Sequence, residues 1–310
     1  MRDVFIRSLE ESAAADDRIM LITGDLGFAV LDAFQRRFPS QFLNAGVAEQ
    51  NMTGLAAGLA LEGRTVFTYS IANFPILRCL EQIRNDAAYH GASVKVVAIG
   101  GGFSYGALGM SHHATEDIAI LRALPEVMVV VPGDDWETYH ATKAIAATPG
   151  TCFLRLDKST AGDTSRPGET FELGKLRTVR EGRRVALLTC GGILGEVLAA
   201  ATGLAAEGID VTVASIHTVK PIDAPGLLAI AETHEAIVTV EEHGLAGGLG
   251  SAVGEVLLDA GRAPRHFHRL GIAGDRFMSE VGSQEYLRRR CGLDAAAIAV
   301  AARHAWWQVE

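Results

Sequence analysis

Short apolar runs alternate with longer alanine- and leucine-rich segments along the chain. The runs are Ile19–Thr23, Thr65–Tyr69, Val94–Ile99, Val127–Val131, Cys152–Leu156, Val185–Thr189, Val211–Ser215 and Ile237–Val240. They are continuous rather than alternating, as expected of strands covered on both faces. The intervening segments predict helices over Arg2–Ala15, Glu49–Leu61, Leu77–Ala88, Asp135–Ala147, Gly195–Glu207, Pro225–Thr233 and Gly248–Ala260. This alternation predicts an α/β fold of mostly parallel sheets with crossover helices on both faces.

The pattern breaks once. From Lys158 to Gly182 the chain turns polar and carries Gly162, Pro167, Gly168 and Gly174. A fresh alternation begins at Arg184. Two successive domains are therefore expected, over 1–160 and 184–310, joined by a linker over 161–183.

Composition narrows the function classes. The 310 residues are 48% hydrophobic, with a formal net charge of −9. An acidic balance without a Lys/Arg run argues against nucleic-acid or membrane-surface binding. No run of about 18 uncharged apolar residues appears, so no span of a bilayer is expected. The start, Met1-Arg2-Asp3-Val4-Phe5, lacks a signal-peptide layout. Cys79, Cys152, Cys190 and Cys291 show no CxxC spacing. That suits a reduced, cytoplasmic compartment.

Two segments carry most of the chemistry. Asn44-Ala45-Gly46-Val47-Ala48-Glu49-Gln50-Asn51-Met52 places Glu49 at the start of a helix without charge from Thr53 to Leu61. A carboxylate there either complements the helix dipole or is buried to hold a proton against a ligand nitrogen. Gly100 to Asp117 follows a predicted strand, where open α/β sheets bind ligands. It holds five glycines in the ten residues 100–109, then His112 and His113 before Thr115-Glu116-Asp117. Adjacent histidines are either solvated or available for acid–base work near neutral pH. Asp25 in Gly24-Asp25-Leu26-Gly27 is a turn residue or a second site carboxylate. Tyr69 to Pro75 offers core packing or an aromatic wall. Arg155 and Lys158 end the strand Cys152–Leu156, either solvated or facing an anionic substrate. In the second half, Gly191-Gly192-Ile193 and Glu241-Glu242-His243-Gly244 precede helices. The paired glutamates there disfavour an anion site.

Together these segments resemble the thiamine-diphosphate enzymes of the transketolase superfamily, in order and over nearly the whole chain. Asn44 to Asn51 is similar to the family's glutamate block, and Gly106 to His113 to its Gly-x-Asp-Gly-x-Thr-His loop. The resemblance implies a thiamine-diphosphate pyrimidine-binding fold followed by a transketolase C-terminal fold. It implies that Glu49 activates the cofactor and that Phe74, in preference to Tyr69, packs on the aminopyrimidine. Asp25 would lie near the thiazolium. His112, with His113 beside it, would contact substrate oxygens. Lys158 and Arg2 would meet the substrate's anionic end, and His243 would stand near the site rim or serve as a structural histidine.

Two departures shape the expectation. Leu108 replaces an aspartate that reads hydroxyl configuration, and a phosphate-binding histidine has no counterpart in Gly100-Gly101-Gly102. The family's Gly-Asp-Gly and downstream Asn, which hold diphosphate and metal, are also missing. No metal site is expected in this chain. The chain resembles the C-terminal subunit of a split transketolase. Its partner would be a separate N-terminal subunit that holds the diphosphate and Mg2+ or Ca2+. Self-association, two copies with two of the partner, is expected, with sugar or sugar-phosphate substrates. The alternatives are the beta subunit of a 2-oxo acid dehydrogenase and a non-catalytic subunit that keeps the fold.

Overall fold

Among the described residues, 1–274 and 276–309 of the computed structural model, the strands form two sheets. In chain order they are β1 (Ile19–Thr23), β2 (Phe42–Asn44), β3 (Thr65–Ile71), β4 (Val94–Ile99), β5 (Val127–Val130) and β6 (Thr151–Leu156). Then come β7 (Arg177–Arg180), β8 (Arg184–Thr189), β9 (Thr212–Ser215), β10 (Thr218–Lys220), β11 (His234–Gly244) and β12 (His266–Ile272). The first sheet runs β10-β5-β6-β4-β3-β1-β2 and the second β12-β11-β8-β9-β7. All neighbours are parallel except β10 on β5 and β7 on β9. Two mostly parallel sheets with helices are the expected architecture. The buried runs of β4 and β6 follow from cover on both faces.

Several helices have the predicted bounds, among them Arg2–Ala15, Glu49–Leu61 and Asp135–Ala147. The expected helix over Leu77–Ala88 is instead broken. It becomes a turn over Phe74–Leu77, a second over Leu80–Gln82 and a π-helical turn over Ile83–Ala88. Cys79, with φ −111°, interrupts the spiral. The break lies beside Glu49, and π turns are frequent at functional sites.

The polar stretch over 161–183 is more than a connection. Arg177, at the start of β7, is buried and donates to Asp134 Oδ2 at 2.7 Å and Glu137 Oε1 at 3.2 Å. Its Nε meets Glu169 Oε1 at 2.8 Å. Polarity therefore marks an ion-pair network between the two sheets, since buried charge persists when paired. The β10 strand, from the later part of the chain, likewise edges the first sheet. One apolar cluster joins Val129 and Val131 to Leu188, Cys190, Ile216 and Val219. The two sheets thus share a core.

Candidate functional site

The loops that leave β1, β3, β4 and β6 converge at one end of the first sheet. Glu49 opens the helix Glu49–Leu61 beside them and is only 5% exposed. Small residues on the buried face, Ala56, Ala57 and Ala60, let this helix lie close to the sheet. The helix start favours a carboxylate. Both Glu49 oxygens accept from Arg78 Nη1, at 3.0 and 3.1 Å. The Arg78 guanidinium lies over the Phe74 ring, 4.3 Å from its centroid. Phe74 in turn meets the His112 ring edge-on at 5.2 Å. Val47, Ala48, Glu49, Gln50, Asn51 and Arg78 line a cavity of about 530 Å³.

Asp25 sits at φ +58°, a conformation Asp tolerates better than most residues. It is exposed and locked to Asn44. The Asp25 N–H donates to Asn44 Oδ1 at 2.9 Å, and Asn44 Nδ2 donates back to Asp25 Oδ1 at 2.9 Å. Asn44 Oδ1 also accepts the Gly46 N–H at 3.0 Å. This pair shapes the turn that leads into Glu49.

Tyr69 is placed differently from Phe74. It is buried and stacks on Phe5 with ring centroids 6.1 Å apart, so it belongs to the core rather than the cavity wall. Its burial raises the phenol pKa. The reason is its place inside β3, whereas Phe74 lies beyond the strand end.

The glycine loop separates the two histidines. His112 is half-buried. Its Nδ1 lies 3.0 Å from the Ser111 hydroxyl, and its pKa is lowered by burial and by His113. His113 turns inward. It is 4% exposed, its Nε2 lies 3.2 Å from the Gly106 carbonyl, and its ring meets Phe103 edge-on at 5.1 Å. Both histidines lie in the turn after Gly109, whose carbonyl accepts their N–H groups at 2.9 and 3.2 Å, and His113 is the one that finds an inward partner. His113 therefore braces the loop, contrary to the expectation that it meets substrate. Lys158 is exposed, with its ammonium 3.8 Å from the Tyr105 ring centroid. Arg2 pairs with Asp3 at 2.9 Å, within electrostatic reach of Tyr105.

Arg155, which precedes Lys158, does not face ligand. It is buried, with Nε donating to Asp117 Oδ2 at 3.0 Å and Nη2 donating to the Ala114 and Glu242 carbonyls at 3.1 and 3.0 Å. Burial pushes the Asp117 pKa up while Arg155 opposes it. Glu242 Oε1 accepts the Phe103 N–H at 2.6 Å, and its Oε2 pairs with Arg288 at 2.5 Å. Gly102, at φ +57°, leaves room for this carboxylate, because a Cβ there would stand 2.5 Å from Glu242 Oε1. The second domain therefore holds the glycine loop down.

The glycine turns of the second domain already carry carboxylates. Gly192 N–H donates to Asp157 Oδ2 at 2.6 Å. Leu249 and Gly250 N–H groups donate to Glu241 at 2.6 and 2.9 Å. His243 is fully buried rather than at a rim. Its Nδ1 lies 2.7 Å from the Gly244 carbonyl, and burial, with Arg155 nearby, pushes its pKa down to about 4.

Sequence patterning assigned no site role to Arg78, Asn44 or Tyr105, and did not foresee that Arg155 joins Asp117, Glu242 and Arg288 in one buried cluster. Arg78 follows Phe74 at helical i,i+4 spacing, a readable signal. The cluster joins residues far apart in sequence and left none. Among the described residues, no group of three or more His, Cys, Asp or Glu is arranged to hold a metal ion. No helix among them is long and apolar enough to cross a membrane.

Comparison with known proteins covers both domains. The pyrimidine-binding domain of transketolase matches residues 1–163, and the transketolase C-terminal domain matches residues 174–298. A 6-deoxy-6-sulfo-D-fructose transketolase subunit of Clostridium sp. (strain MSTE9) is 37% identical over 97% of this chain and 93% of its own length. An apulose-4-phosphate transketolase subunit of Actinobacillus succinogenes is 32% identical over 91% of this chain and 90% of its own. Among solved structures, a split-gene transketolase described as an inactive beta4 tetramer superposes with a TM-score of 0.87. It has 34% identity and covers 98% of this chain and 97% of its own.

Proposed function

The chain belongs to the transketolase family, and from that premise we propose that it is the C-terminal subunit of a two-chain transketolase. The enzyme would move a two-carbon ketol unit from a ketose to an aldehyde with thiamine diphosphate. The observation that carries this reading is the buried Glu49 carboxylate opening into a cavity, with the Phe74 ring linked to it through the Arg78 guanidinium.

These residues fit an aminopyrimidine. A buried carboxylate accepts a hydrogen bond from, or shares a proton with, a ring nitrogen. An aromatic face stacks on a flat heterocycle. When bound, the cofactor supplies the nucleophilic carbon for ketol transfer. Glu49 holds the proton at the ring nitrogen, and Phe74 orients the ring. Asp25 and Asn44 set the turn close to the thiazolium end. His112 holds or moves a proton at the substrate's hydroxyl or carbonyl oxygen. Lys158 and Arg2 draw the anionic end of a sugar or sugar phosphate toward Tyr105. Leu108 cannot accept a hydrogen bond from a substrate hydroxyl.

Diphosphate and Mg2+ or Ca2+ would be held by a separate N-terminal subunit, two copies of each chain forming the enzyme. The names of the split relatives support a separate partner subunit and self-association. The four free cysteines accord with a cytoplasmic setting.

The test is co-expression with the product of the adjacent reading frame. Thiamine-diphosphate-dependent turnover of a ketose and an aldehyde is the expected result, with no turnover by rigorously purified chain alone. Turnover of a 2-oxo acid instead would move the assignment to the beta chain of a dehydrogenase.

A further inference from the structure

Arg78 satisfies, within the chain, both contacts that a flat nitrogen heterocycle would make at Glu49 and Phe74. One nitrogen donates to both Glu49 oxygens, at 3.0 and 3.1 Å. The planar guanidinium lies over the Phe74 ring at 4.3 Å. A guanidinium combines N–H donors with a stacking plane, as an aminopyrimidine does. A nitrogen shared between the two oxygens occupies the approach that lies between them.

The surroundings permit Arg78 to leave. Its side chain is 51% exposed, against 5% for Glu49, so a route to water is open. It stands in the break between the turns Phe74–Leu77 and Leu80–Gln82, where no continuous helix fixes it. Among the described residues, Glu49 is the acidic group with which Arg78 forms an ion pair.

We propose that Arg78 is an internal occupant of the ring slot between Glu49 and Phe74, which the aminopyrimidine must displace to solvent in order to bind. This rests on the functional reading above. It makes Arg78 a residue that sets cofactor affinity by competition, with the carboxylate and the aromatic face kept partnered until the ring arrives.

Calorimetric titration of thiamine into the purified full chain tests this, with wild type, R78A, R78K, E49A and R78A/E49A compared. R78A is expected to bind on the order of tenfold more tightly, the combined scale of an exposed ion pair and a cation–π contact. A wild type without measurable binding beside an R78A chain that binds is the same result at its limit. R78K keeps the charge but not the plane, and is expected to fall between the two. Equal or weaker binding by R78A, including none up to millimolar thiamine, overturns the proposal. If wild type binds measurably and E49A binds as tightly, or if R78A binds and the double variant R78A/E49A binds as tightly, Glu49 is not the ring's partner and the functional reading itself fails. If E49A weakens binding while R78A leaves it unchanged, only the competition is refuted.

Discussion

Glu242 of the second domain accepts the backbone N–H of Phe103 in the first domain at 2.6 Å, and the same carboxylate pairs with Arg288 at 2.5 Å. All three groups are buried. One side chain thereby ties the glycine loop that carries His112 to the far half of the chain.

Replacing Glu242 with alanine leaves the buried Arg288 cation and the Phe103 N–H without their carboxylate. Losing one partner of a buried pair costs about 3–5 kcal/mol. The E242A chain should melt at a clearly lower temperature and be nicked faster by protease within residues 100–116. Glu242→Gln keeps the shape and should lose less. An unchanged melting curve for E242A would show that the loop is held by other contacts.

Glu49→Ala should act on chemistry more than on stability. Its ion pair with the half-exposed Arg78 contributes only about 0–1 kcal/mol. A group that holds a proton during cofactor activation should cost well over ~10²-fold in rate. The assembled E49A enzyme should melt near the wild-type temperature yet exchange the thiazolium proton far more slowly. Near-normal exchange would remove Glu49 from the reaction.

His112 is lowered below the ordinary histidine range by burial and by His113. It is therefore neutral at pH 7. If it handles the substrate proton, kcat/KM should fall on the acid side at a pH below about 6.5. His112→Asn should lose activity by about 10²- to 10⁴-fold and abolish that acid limb. Persistence of the limb in the variant would assign it to another group.

His243 supplies a pH dependence of stability. Its folded pKa, pushed down to about 4, lies below the 6.5 expected unfolded. Between those values the unfolded chain binds a proton that the folded chain does not. The stability contribution is complete above about pH 6.5 and is lost as pH falls toward 4. Burial raises the neighbouring Glu241 to about 7, which acts in the opposite direction over part of that window. Comparison with His243→Gln isolates the histidine. The wild-type advantage in melting temperature should shrink from pH 7 to pH 5, and a constant difference would contradict the assignment.

Local patterning along the chain did not show β2, β7, β10, β12 or the helix Ala295–Gln308, but it was enough to define eight of the twelve strands, several helices and the position of Glu49 at a helix start. These features rest on continuous hydrophobicity, alanine-rich spacing and a single charge before an uncharged segment. β1 and β4 and the helices Arg2–Ala15 and Glu49–Leu61 have the bounds expected from those patterns. Which of two similar residues faces the site was a matter of three-dimensional packing. His112 and His113 are chemically alike, and one turns inward because the Gly106 carbonyl and Phe103 receive it. Tyr69 and Phe74 are both aromatic, and the strand's interior claims the first. Arg155, Asp117, Glu242 and Arg288 carry no shared pattern along the chain. Burial forces them together, because a charge removed from water needs a partner wherever in the sequence that partner lies.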